Sequence, residues 1–142
     1  MPLVDLDHIN IRTGDLERLV GFYQDVLGLS TGARPPLNFG GAWLYCGERA
    51  AVHLVKVAKT PDGHPPRLEH FAFKASGLAD FLGHLRAREV PYRISIVPGR
   101  QIRQVNIHDP DGNHIEIAFP PEEQADLTDY PGAAAQATSA AT

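Results

Sequence analysis

Seven residues near the N-terminus, LDHINIR (Leu6–Arg12), return as LEHFAFK (Leu68–Lys74) at an offset of 62. The correspondence continues along the chain. Leu16 falls on Leu78 and Leu19 on Phe81, and GAWLYCGERAAVHLV aligns loosely with IRQVNIHDPDGNHIEI, with one extra residue in the second turn. An internal repeat restricts the possible folds strongly, because neither half, at roughly 55 residues, buries enough surface by itself. Two halves that pair their sheets around a shared cleft meet that requirement.

Each half reads as strand, helix, then further strands. LDHINIR alternates in character, with Ile9 and Ile11 on one side and Leu6, His8, Asn10 and Arg12 on the other. DLERLVGFYQDVLGL places Leu16, Leu19, Val20, Tyr23 and Val26/Leu27 at helical spacing behind the capping residues Thr13 to Asp15, and Gly28 ends the helix. Ala42–Gly47 and Ala50–Val57 are the next strands. KTPDGHPPR, within the linker 58–67, is dense in Pro and Gly. The second half gives a strand at Leu68–Lys74 and a helix bearing Leu78, Phe81, Leu82 and Leu85. Strands follow at Tyr92–Val97, Arg103–His108 and His114–Phe119. The expected fold class is α+β, with two tandem modules, 6–57 and 68–119, sharing one cleft. They make a single domain spanning 1–119, with a small, polar and mobile tail over 120–142.

Composition narrows the function. The formal charge of -4 gives no footprint for nucleic acid. No apolar run approaches the ~20 residues that span a bilayer, and the N-terminus lacks the pattern of a signal peptide. Cys46 is the only cysteine, so no intrachain disulfide forms, and a cytoplasmic location is expected.

The polar residues inside the strands carry the chemistry. His8 opposes the Ile9/Ile11 face, His70 the Phe71/Phe73 face, and Glu116 the Ile115/Ile117/Phe119 face. His8 corresponds to His70 in the repeat, and His53 corresponds to Glu116. If the repeats face each other across a pseudo-two-fold, these groups converge. Two imidazoles and a carboxylate suit a divalent metal such as Zn, Ni, Fe, Mn or Co, with positions left open for water or substrate. His53 is a fourth ligand, a base or a hydrogen-bonding neighbour of the ligands. His64, His84 and His114 read as structural or exposed. DPDGN (Asp109–Asn113) reads as a turn, since it lacks the length and the Glu of a calcium loop.

DHINIRTGDLERLVGFYQDVLGL, LEHFAF and DPDGNHIEI together resemble the vicinal oxygen chelate superfamily, which includes glyoxalases, bleomycin-resistance proteins and extradiol dioxygenases. The resemblance covers Leu6 to Phe119. It implies an α+β fold of two tandem βαβββ modules forming a curved mixed sheet around a metal-binding cleft, a divalent metal, and ligands at His8, His70 and Glu116, with His53 at the position where glyoxalase I usually carries Glu. Four functions share these residues. The first is a metal-dependent lyase or isomerase of the glyoxalase type, acting on a small oxygen-rich substrate by bidentate chelation, with His53 or Glu116 moving the proton. The others are an extradiol-type dioxygenase, a thiol transferase of the fosfomycin-resistance type, and a non-enzymatic sequestering protein, against which the ligands count. A homodimer is expected from the family. Asn10, Arg12, Trp43, Tyr45, Asn106 and His108 are further candidates to line the cleft, and Arg67, Arg93, Arg100 and Arg103 are candidates to meet a substrate anion.

Overall fold

Asp15 starts the first helix. Its side chain accepts a hydrogen bond from the Arg18 N–H at 3.2 Å, satisfying one of the donors that a helix N-terminus leaves open. The helix stops where Gly28 takes a positive φ of 71°, and the Gly28 N–H bonds back to the Gln24 carbonyl at 3.1 Å. In this computed structural model, Met1 and residues 3–133 are described. They divide into two compact units, Met1–Pro65 with Asp109–Asp111, and Pro66–His108 with the chain from Gly112 onward.

Unit 1 runs β1 (Ile9–Thr13), α1 (Leu16–Asp25), β2 (Ser30–Thr31), β3 (Gly41–Cys46) and β4 (Arg49–Lys56). Its sheet has the order β1-β4-β3-β2, with β1 parallel to β4 and the other pairs antiparallel. Leu19 and Tyr23 of α1 are buried, with Val26 that caps its C-terminus, as are Leu44, Val52 and Leu54 of the sheet. Strand pairing starts at Ile9 rather than Leu6. Arg49 fastens the preceding residues, reaching the Leu6 carbonyl at 3.1 Å and the Asp5 carboxylate at 2.5 Å. That pairing holds the Asp5 carboxyl below its usual range.

The Tyr23 hydroxyl, fully buried, donates to Asp109 Oδ2 at 2.9 Å. Asp109 Oδ1 accepts from the Asp111 N–H at 3.0 Å. The DPDGN turn expected from sequence is therefore present, and its first carboxylate also anchors α1.

Unit 2 repeats the plan: β5 (Phe71–Lys74), α2 (Leu78–Ala87), β6 (Arg93–Ile96), β7 (Arg103–His108) and β8 (His114–Phe119), in sheet order β5-β8-β7-β6. Leu78, Leu82 and Leu85 of α2 are buried, as are Val105, Ile107, Ile115, Ile117 and Phe119 of the sheet. Each module therefore has its own four-stranded mixed sheet.

The registers show the repeat at the level of single residues. Asn10 pairs with His53 in unit 1, and Ala72 pairs with Glu116 in unit 2. Those pairings are related by the sequence offsets that align the halves.

Three residues beyond Phe119 are tied to the second module. Glu123 Oε1 accepts from the Gly77 and Leu78 N–H groups at 2.7 and 3.0 Å, capping α2 where Gly77 offers no side chain. Asp129 accepts from Ile94 N–H at 2.8 Å, and the buried Tyr130 pairs antiparallel with Tyr92. Residues 134–142 of the expected tail lie outside the described residues. Glu123→Ala is expected to lower unfolding free energy by about 1 kcal/mol, the usual value of a cap, measured as a shift in urea midpoint. An unchanged midpoint would show that water replaces the cap without cost.

Candidate metal centre

In unit 2 the parallel register fixes which side chains meet. His70, two residues before Ala72, shares the face on which Glu116 stands. His70 Nε2 lies 3.6 Å from Glu116 Oε2. Two ligands about 2.1 Å from a tetrahedral ion are about 3.4 Å apart, so the pair is spaced as neighbours around one ion. Gln104 Nε2 donates to Glu116 Oε2 at 3.1 Å.

The Glu69 carboxylate meets the other side of the imidazole, at His70 Nδ1. That hydrogen bond raises the His70 pKa, with Glu116 adding to it against the opposing effect of burial, and it lowers that of Glu69. The second Glu69 oxygen lies 3.1 Å from His114 Nδ1, and His114 Nε2 lies 2.8 Å from Asn106 Oδ1. Glu69, His70 and His114 each offer a ligand atom within 4.8 Å of the other two.

Unit 1 builds the corresponding pair differently. His8 stacks on His53, ring centroids 3.8 Å apart and planes 12° from parallel. Trp43, the cross-strand partner of His53, covers the other side at 3.9 Å and 11°. His53 is thus sandwiched and buried. Burial lowers its pKa, with His8 adding to the effect, while a hydrogen bond to the Ala50 backbone opposes it. Asp7 Oδ2 lies 2.7 Å from His8 Nδ1.

The two stacked rings bear on ligation. An ion lies in the plane of any imidazole that binds it, and rings this parallel do not share a plane. As stacked, one of His8 and His53 takes an ion and the other stands beside it. A four-ligand set that includes both requires one ring to turn.

Within the units the sequence-derived residues pair as His8 with His53 and His70 with Glu116. Asp7, Glu69 and His114 were missed as site residues. The signal for the first two was present, since DH and EH occupy equivalent repeat positions. His114 lies two residues before Glu116 on β8 and so shares its face. Among the candidate lining residues, Trp43 packs on His53, Asn106 is buried beneath His114, and Asn10 and Arg12 are exposed.

A duplicated βαβββ module with imidazole and carboxylate groups at repeated strand positions defines the class of protein. The sequence profile of the Glyoxalase/Bleomycin resistance protein/Dioxygenase superfamily matches residues 5–117, and the chain belongs to that superfamily. It is 33% identical over 126 residues to "Glyoxylase I 4" of Arabidopsis thaliana, covering 82% of this chain and 71% of that protein. A Bacillus anthracis structure assigned to the glyoxalase family superposes with a TM-score of 0.70 at 20% identity, covering 83% of this chain and 96% of the other. TnmS3, an antibiotic binding protein from Streptomyces sp. CB03234, superposes with a TM-score of 0.60 at 20% identity, covering 84% and 98%. The same fold therefore serves proteins described by different functions. Among the described residues, no helix is long and apolar enough to cross a membrane.

Proposed function

We propose that this protein is a divalent-metal-dependent lyase or isomerase of the glyoxalase type, acting on a small oxygen-rich substrate. One observation carries the reading: the same strand register brings His8 beside His53 in one module and His70 beside Glu116 in the other. The likeness to the plant protein named "Glyoxylase I 4" supports the reaction type. We propose His8, His70 and Glu116 as ligands of a divalent metal, drawn from Zn, Ni, Fe, Mn or Co. When bound, such an ion polarises neighbouring substrate oxygens and stabilises the negative charge that develops on them.

The chain's own groups divide the remaining work. Glu116, held by Gln104, supplies the carboxylate ligand. His53 is kept neutral by burial, and its bond to the Ala50 backbone commits one ring nitrogen. The other nitrogen is an acceptor suited to take a substrate proton and return it. A homodimer in the cytoplasm completes the reading.

The test begins with elemental analysis of protein purified without added metal. Stoichiometric metal is expected in the wild type, with loss in His70→Ala and Glu116→Ala. Undiminished metal in both variants would overturn the ligand assignment. Turnover of a methylglyoxal–thiol hemithioacetal is expected. Oxygen uptake with catechols in its place would make the protein a dioxygenase, and metal retention without either would leave a sequestering protein.

A further inference from the structure

We propose that Glu69 and His114 are positioning residues that lock the His70 ring with Nε2 aimed at the ion. The proposal rests on the reading of His70 and Glu116 as ligands and extends it to side chains that bind no ion themselves.

The chain of contacts starts at Asn106, which is 5% exposed. Its Nδ2 donates to the Arg93 carbonyl at 3.1 Å, Ser95 Oγ at 3.0 Å and the Gln104 carbonyl at 3.3 Å. The two carbonyls accept only, so the amide has one orientation that satisfies them, and Oδ1 is left facing His114. His114 Nε2 donates to that oxygen at 2.8 Å, which turns Nδ1 toward Glu69 Oε1 at 3.1 Å. Glu69 Oε2 then takes His70 Nδ1. The nitrogen remaining to His70 is Nε2, the one that faces Glu116.

The chain also closes on itself. Glu116 Oε2 accepts from Gln104 Nε2, Gln104 Oε1 accepts from Ser95 Oγ at 3.0 Å, and Ser95 Oγ accepts from Asn106. Every side chain around this loop touches two others, so turning any one disturbs two contacts. His70 needs such support because its side chain is 38% exposed. A ligand already held in its binding rotamer gives up less freedom when the ion arrives.

Glu69 and His114 could instead be ligands, since their atoms cluster with His70. Their engagement argues otherwise. Both Glu69 oxygens and both His114 nitrogens already face protein partners. Unit 1 supplies the contrast. Asp7 meets His8 Nδ1 in the equivalent way, with its side chain 88% exposed against 69% for Glu69.

The experiment is a Co2+ titration of full-length, metal-stripped protein, followed by visible absorption. Glu69→Gln and His114→Gln are expected to bind Co2+ about 10- to 100-fold more weakly than wild type. The absorption spectrum at saturation is expected to be unchanged, because the ligands are the same. Glu69→Asp is expected to recover part of the loss. His114→Gln retains an amide donor for Asn106, so the fold is kept, and a thermal melt beside each titration verifies this. Unaltered affinity in both variants would overturn the proposal. So would a changed saturated spectrum, which would make the residues ligands. His70→Ala separates the two levels of argument. If it binds Co2+ like the wild type, or if the wild type takes up none, the ligand reading fails and this inference falls with it. If only His70→Ala loses Co2+, the ligand reading stands and the positioning role is wrong.

Discussion

His53→Gln is expected to keep its full complement of metal and to lose about two to four orders of magnitude in turnover, the usual worth of a positioned base. The expectation follows from the ring's surroundings. Trp43 and His8 hold His53 between them at 3.9 and 3.8 Å, and the Ala50 backbone engages one nitrogen. A ring stacked this closely against His8 does not share an ion with it, so removing it takes away none of the proposed ligands. Glutamine is polar and can still donate to Ala50, but it has no basic nitrogen. The measurement pairs elemental analysis with the hemithioacetal assay. Loss of metal in step with activity would make His53 a fourth ligand. Full activity with full metal would remove it from the chemistry altogether.

The second large effect concerns α1. Tyr23→Phe is expected to cost about 1–3 kcal/mol, because it removes the hydroxyl that donates to a buried Asp109 oxygen. Asp109→Ala is expected to cost more than Tyr23→Phe, since it also removes the bond to Asp111 N–H. Urea unfolding of both variants checks the order. The same contact sets an alkaline limit. Burial, then the neighbouring Asp109, push the Tyr23 pKa well above its ordinary 10.0. The folded protein therefore keeps the proton while the unfolded chain releases it. Stability from this group is fully present below about pH 10 and is lost as pH rises beyond it, at up to about 1.4 kcal/mol per pH unit. Tyr23→Phe is expected to lack that component of the alkaline slope. Identical slopes in wild type and variant would show that Tyr23 ionises as freely in the folded protein as in the unfolded chain.

How much of this was legible in the sequence depended on whether a feature is periodic. β7 and β8 have the residues expected from alternation, and the buried faces of both helices follow their apolar spacing. The first strand of each module begins three residues later than expected, at Ile9 and Phe71. Alternation reports which side a residue faces, and it continues past the point where backbone pairing stops. β2, at two residues, is too short for any period. The correspondence of His8 with His70 and of His53 with Glu116 was readable from the repeat. The meeting of His8 with His53 and of His70 with Glu116 depends on strand register, which the repeat does not give. The Trp43 stack was not readable, because cross-strand partners depend on the β3–β4 turn and on the irregularity at Leu44/Tyr45. Glu69 and His114 meet only through their side-chain rotamers, which leave no pattern in the sequence. Tyr130 joins the fold through an isolated bridge, a contact too short to leave a pattern either.

The fastening of residues 120–130 changes where this protein can be cut. Family likeness ends at 117 and the repeat at 119, yet α2 is started by Glu123, and β6 is steadied at its entrance by Asp129 and Tyr130. The second copy of the module thus borrows its clasp from beyond its own boundary. A fragment trimmed to the repeat would open the first turn of a helix and bare the buried Tyr92. The unit that repeats and the unit whose contacts close are, in this chain, different lengths.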